Sequence, residues 1–219
     1  MPGTIVDDVE IIDAGHGGGT PPPAGGDGDG DGDSSGSRRP VPRRAYFTAL
    51  QLGLAAIVMF FMALASSYIV RKGLGTDWQR APLPPVLWFN TAILLASSVT
   101  IIVARKKLEG GEREAFRSWW WVTTGLGVLF LAGQIIAWRQ LAAAGMLLAT
   151  NPSSSFFYLL TAAHGAHLAG GILALFYVAF RAWNRSRISQ ATAAELASIY
   201  WHFMDGLWIF LFALLTLGR

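Results

Sequence analysis

Residues 200–212 read Tyr200-Trp201-His202-Phe203-Met204-Asp205-Gly206-Leu207-Trp208-Ile209-Phe210-Leu211-Phe212. Taken with its flanks from Ala197 to Leu217, the run reaches the roughly 20 apolar residues that a helix needs to cross about 30 Å of hydrocarbon. Inside it a histidine and an aspartate stand three residues apart, on one helical face. An ionisable group at membrane depth costs about 2.5–3.5 kcal/mol on insertion scales, so it faces protein rather than lipid. The stretch therefore predicts a membrane helix packed against others through a polar face.

Working outward, the rest of the chain agrees. Apolar residues make up 53% of the 219 and charged residues only 14%, against about a quarter charged in a soluble domain. Four more apolar runs are long enough to span. The predicted spans lie near residues 46–70, 85–105, 118–142, 156–180 and 197–217, separated by short polar breaks. The fold class is thus all-α, an integral membrane bundle of five transmembrane helices over 45–219. Short loops predict that successive helices are antiparallel neighbours. Tryptophan gathers near the run ends as an interfacial belt: Trp78, Trp88, Trp119, Trp120, Trp121, Trp138, Trp183 and Trp201.

Residues 1–44 form a predicted disordered tail. They are rich in Gly, Asp, Pro and Ser, with too little apolar surface to offset ordering entropy. All eight acids of residues 1–37 lie here without a lysine or arginine. The alternating run Gly26 to Asp33 lacks the spaced ligands and closing glutamate of a calcium loop and reads as a solvated acidic linker. Residues 3–13 carry Ile5, Val6, Val9, Ile11 and Ile12, enough for a short docking segment. No basic region precedes an apolar core, so the tail is not expected to be a secretory signal.

The basic residues orient the bundle. Twelve fall on one side (Arg38, Arg39, Arg43, Arg44, Arg105, Lys106, Lys107, Arg113, Arg117, Arg181, Arg185, Arg187) and five on the other (Arg71, Lys72, Arg80, Arg139, Arg219). The richer side is expected to be cytoplasmic, with the amino terminus inside and the carboxyl terminus outside. These charges sit in short loops between apolar runs, which excludes a nucleic-acid patch. With no cysteine in the chain there is no disulfide, thiolate metal site, thioether haem attachment or cysteine nucleophile. Small residues at Gly125, Gly127, Gly133, Gly165, Ala166, Ala169, Gly170 and Gly171 are expected to let backbones approach.

Four ionisable residues carry the functional question: His164 and His167 on the fourth span, His202 and Asp205 on the fifth. At about 1.5 Å per residue, His167 lies about 16 Å below the outer surface. Asp205 lies about 12 Å from the inner one, and so about 18 Å from the outer across about 30 Å. The expected arrangement turns the histidine pair toward Asp205, directly or through water. Facing histidines could hold haem or copper, and a diheme cytochrome would give the isolated chain a Soret band. Such a site needs further ligands and supporting residues, and the only other histidine is His16 in the tail. The alternatives are a proton relay, weakened because Asp205 is the only carboxylate deep in a span, and helix packing or subunit contact, which the residue set favours. Glu195 at the inner mouth of the fifth span reads equally as a helix-start carboxylate or a functional group.

Glu195 followed by Tyr200-Trp201-His202-Phe203, Asp205, Trp208, Phe210 and Phe212 resembles the last helix of subunit III of haem–copper terminal oxidases. Ser155-Phe156-Phe157 with His164-Gly165, His167 and Gly170 resembles the helix before it. Leu83-Pro84 with Asn90-Thr91, Ser97 and Ser98, then Leu108-Glu109-Gly110, then Gly127 with Gln134, resemble earlier parts in order. The resemblance covers about 46–217. It implies a short five-helix form lacking the first two helices of longer members. It also implies a non-catalytic subunit of a cytochrome c or quinol oxidase reducing oxygen to water in aerobic electron transport. Haem and copper would sit in partner subunits and none in this chain. Subunit I would be the main contact, with subunit II and other respiratory-complex subunits nearby, in a bacterial inner membrane. The role implied is support of subunit I stability and proton uptake. His164, His167, Glu195, Trp201, His202 and Asp205 become structural, phospholipid-binding or subunit-interface candidates. Longer members carry a buried glutamate in the helix matching the first span, where this chain has Ser66 and Ser67 but no acid, and another acid where it has Ala137. Two other readings are an accessory subunit of a nitric oxide reductase and a small membrane transporter or scaffold. The spans show no inverted repeat for transport.

Overall fold

The computed structural model describes residues 42–74, 84–146, 152–181 and 190–217. The expected tail before residue 42 lies outside the described residues, with its Gly/Asp run, the 3–13 segment and His16. So do Trp78, Arg80, Leu83, Trp183, Arg185, Arg187 and Arg219. Within the described residues there are five helices and no strand: α1 (Arg43–Leu74), α2 (Val86–Glu109), α3 (Arg113–Ala143), α4 (Pro152–Arg181) and α5 (Gln190–Leu217). All five are long and apolar enough to cross a membrane.

Each helix outlasts its apolar run, and in α1, α2 and α3 the added turns carry Arg, Lys and Glu, which are themselves good helix formers. Their stems also extend along apolar surface while the charges reach water. The expected break from Arg105 to Arg117 shrinks to Gly110–Glu112. There Gly111 takes φ +78°, the left-handed conformation glycine adopts without penalty. Its N–H reaches the Leu108 carbonyl at 3.1 Å, the Glu112 N–H reaches the Lys107 carbonyl at 3.0 Å, and Lys107 Nζ holds the Glu112 carboxylate at 2.9 Å. At the other end Pro85 starts α2, and its carbonyl accepts the Trp88 N–H at 3.1 Å.

The helices α2, α3, α4 and α5 form a ring in which each touches the next and α5 closes back on α2. Helix α1 lies outside the ring against α4 and α5, without packing on α2. The expectation that successive helices are neighbours therefore holds for three pairs and fails for α1 and α2. The ring encloses Phe130, Leu160, Leu168, Leu175, Trp120, Trp201, Met204 and Trp208. Trp120 and Trp201 are thus core residues and not part of an interfacial belt. Trp88, Trp119 and Trp121 do stay exposed.

Small residues set the close approaches selectively. A Cβ on Gly127 would come 2.6 Å from the Trp201 ring, one on Gly133 2.0 Å from Asn90 Oδ1, and one on Gly171 2.9 Å from the Tyr200 ring. Gly125 and Gly170 have nothing within 4 Å of that position. The glycine pattern marks contact at the first three positions and an open face at the other two.

Candidate functional site

The polar residues of the last helix lie along its contact with α2. Trp201, Asp205 and Trp208 recur at helical spacing along the inner stripe of α5. The Trp201 indole N–H donates to Ser97 Oγ on α2 at 3.0 Å, and Ser97 Oγ–H donates in turn to the Leu94 carbonyl at 2.6 Å. His202 Nδ1 and Ser98 Oγ are hydrogen-bonded at 2.7 Å. The Trp208 N–H donates to Thr91 Oγ1 at 3.0 Å. Two turns of α5, separated by the turn that carries Asp205, are thereby stitched to α2, each bond joining an aromatic or imidazole nitrogen to a hydroxyl. Ser97, Ser98 and Thr91, which entered the sequence reading only through the family resemblance, are the specific partners.

The same device joins α3 to α4. Trp120 Nε1–H donates to the Leu175 carbonyl at 3.0 Å, and Trp138 Nε1–H to Thr161 Oγ1 at 3.0 Å. On α5 the Tyr200 hydroxyl donates to the His167 carbonyl of α4 at 2.9 Å. A hydrogen bond between elements also orients them, because its geometry is directional where apolar contact is not.

The histidines do not converge. His164 is fully buried between Phe130, 6.0 Å away by ring centroid, and Trp208 at 5.0 Å. His167 Nδ1–H donates to the Ala163 carbonyl of its own helix at 2.8 Å, and its ring lies 5.5 Å from Phe61 on α1. His202 faces α2. The expected direct bond between His167 and Asp205 is not formed, because neither Asp205 oxygen has a hydrogen-bond partner. The depth argument itself holds: Trp208 meets His164 and Tyr200 meets His167, so Asp205 stands at their level. The facing fails for His167, which turns to Phe60 and Phe61 of α1. Among the described residues no group of three His, Cys, Asp or Glu side chains is placed to hold a metal ion.

Buried polar atoms without a partner mark a second feature. Among the described residues they are both polar atoms of Gln134, both ring nitrogens of His164, Ser198 Oγ and both carboxylate oxygens of Asp205. Glu195 pairs with Arg43 across the α5–α1 contact. This gives it a tertiary partner that neither sequence reading supplied.

This is a multi-pass membrane protein whose polar side chains are largely committed to fixing one helix against another. A family model described as "Cytochrome c oxidase subunit III" matches residues 46–217. Curated relatives carry the same description. A "Cytochrome c oxidase subunit 3" of Thermostichus vulcanus is 32% identical over 162 residues, covering 72% of this chain and 79% of its own. A "Probable cytochrome c oxidase subunit 3" of Nocardia farcinica is 34% identical over 171 residues, covering 76% and 84%. A "Cytochrome c oxidase subunit 3" of Corynebacterium diphtheriae is 35% identical over 167 residues, covering 73% and 81%. The chain belongs to the cytochrome c oxidase subunit III family. It is a haem–copper oxidase subunit and a component of an oxidase complex.

Proposed function

We propose that this chain is a non-catalytic, supporting subunit. It packs chiefly on the oxidase subunit that holds the haems and copper, beside subunit II, and sustains that subunit's stability and proton uptake. The observation that carries this reading is the stitching of α5 to α2 through Trp201, His202 and Trp208. The motif most suggestive of chemistry is spent on holding helices in register. The three membrane histidines support it, since they face α1, α2 and the α3–α5 side separately and offer no common ligand direction. His164, His167, Glu195, Trp201, His202 and Asp205 are structural residues in this reading, and phospholipid occupies the apolar outer faces. The protein resides in a bacterial inner membrane, with the face carrying Arg43, Arg105 and Lys107 in the cytoplasm.

Affinity purification in mild detergent, with mass spectrometry of what co-purifies, tests the partners. Recovery of a haem- and copper-bearing polytopic subunit is expected. Recovery of the chain alone, with no oxidase activity, overturns the reading. In the complex, Asp205→Asn should weaken assembly or prolonged turnover and leave the haem spectrum of assembled enzyme unchanged. Loss of haem from assembled enzyme would assign this residue a different role.

A further inference from the structure

The seam between α2 and α5 holds polar groups that a purely supporting role leaves unused. Along α5, Ala194, Ser198, His202 and Asp205 follow one another at steps of three or four residues and so share a face. On α2, Arg105 and Ser98 are seven apart and do the same. At the end of the bundle carrying the α2–α3 turn, the seam opens into a cleft of about 320 Å³ bounded by Arg43, Arg105, Glu109, Ala194 and Glu195. Above the cleft the walls are small: Ala194 and Ser198 on α5 and Ala104 on α2, all buried.

Ser198 Oγ is buried there without a partner. One turn deeper His202 meets Ser98, with Arg105 within electrostatic reach of the imidazole. One turn deeper again is Asp205, only 3% exposed, with both oxygens unpartnered. Beyond Asp205 the seam closes. Trp208 is bonded to Thr91, and Trp88 meets Phe212 edge-on at 4.8 Å. The polar stripe has one open end and one aromatic end.

Steps of three or four residues advance about 4.5–6 Å along a helix. Two hydrogen bonds through one bridging water span about 5.6 Å. Buried polar groups lacking protein partners are where internal water sits, given two to four polar neighbours, and Ser198, Ser98, His202 and Asp205 supply them.

We propose that the α2–α5 seam is a one-sided water inlet, carrying a short file of water from the cleft at Arg105 and Glu195 past Ser198 and His202 to Asp205. Asp205 then exchanges its proton with that face of the membrane alone. At each transfer one O–H bond breaks as another forms on the neighbouring water, so no oxidant or reductant is involved. The charged and titratable groups facing the file are Arg105 and Glu109 on α2, Glu195, His202 and Asp205 on α5, and Arg43 on α1. From α4, His164 packs against Trp208, where the file ends, and His167 turns to Phe61. The inlet takes only its cytoplasmic sidedness from the function proposed above.

The chain has no cysteine, so a single introduced thiol reports on itself. Ser198→Cys, Ser98→Cys, Ser97→Cys and Gly110→Cys variants of the assembled oxidase, in sealed vesicles, are treated on either side with a small membrane-impermeant cationic methanethiosulfonate. The reagent consumes thiolate, which water supports and dry protein does not. Gly110→Cys, in the α2–α3 turn, marks the face. Ser198→Cys should be labelled only from the face that labels Gly110→Cys, Ser98→Cys more slowly from that same face, and Ser97→Cys from neither. Labelling of Ser198→Cys and Ser98→Cys from the opposite face, or of neither, overturns the inlet. If Gly110→Cys and Ser198→Cys are both labelled from the periplasmic side, the orientation is wrong and the inlet stands. Should the serine variants fail to assemble, hydroxyl-radical footprinting of the unmodified complex decides. Oxidation of His202 above that of His164 is expected, and equal protection of the two overturns the inlet.

Discussion

Gly133→Ala places a methyl group 2.0 Å from Asn90 Oδ1, with the Asn90 Cγ at 2.8 Å and Nδ2 at 2.9 Å. Ordinary contact begins at 3.4 Å, so either α2 and α3 separate or the Asn90 amide moves. Asn90 is only 1% exposed, and its amide points Nδ2–H at the Phe130 carbonyl, 3.5 Å away. It has no solvent to swing into. Overpacking of this kind costs about 1–3 kcal/mol, and a displaced buried amide without a partner about 1–3 kcal/mol more. The alanine returns about 1 kcal/mol of helix propensity. A net loss of about 3 kcal/mol follows, roughly a hundredfold in the folded ratio at about 1.4 kcal/mol per decade. The assay is the midpoint temperature at which the subunit leaves the purified complex in mild detergent. Gly125→Ala is the control, because no atom lies within 4 Å of its Cβ position, and it should raise the midpoint or leave it unchanged. Adding Asn90→Ala to Gly133→Ala should restore most of the loss, with a coupling of about 1 kcal/mol or more. Equal behaviour of Gly133→Ala and Gly125→Ala, or no relief from Asn90→Ala, would refute the reasoning.

Trp201→Phe and Ser97→Ala should each lower the same midpoint by about 1–2 kcal/mol through loss of the buried hydrogen bond they share. Their double variant should lose less than the two together, as a thermal-denaturation cycle would reveal. Gln134→Leu removes two buried polar atoms without partners and should raise the midpoint, by about 1 kcal/mol or more. A fall would show that the amide is bonded. Arg43→Ala breaks a pair whose arginine side chain is 64% exposed, so detergent stability should fall by less than about 1 kcal/mol, and less still in high salt.

The membrane class, the number of helices and their order were legible in the chain, because spanning a bilayer demands about 20 apolar residues in one run and charges interrupt such runs cleanly. Helix ends were less legible: Arg105 to Glu109 and Arg113 to Arg117 are polar yet helical, since polarity alone does not end a helix. Membership of the oxidase subunit III family was also readable, from residues between Pro84 and Phe212 taken in order. Depth along the helix axis followed from a fixed rise per residue and placed Asp205 level with the two histidines of α4. The rotation of each helix about its axis was not contained in that arithmetic. It was decided by packing: Gly127 and Gly171 admit the Trp201 and Tyr200 rings, Phe60 and Phe61 of α1 take His167, and Ser97, Ser98 and Thr91 take Trp201, His202 and Trp208 of α5. The glycine spacing could not say which members touch a neighbour, nor could the tryptophan spacing separate Trp201 from Trp88. Lipid and protein are both apolar surroundings, and only tertiary contact distinguishes them.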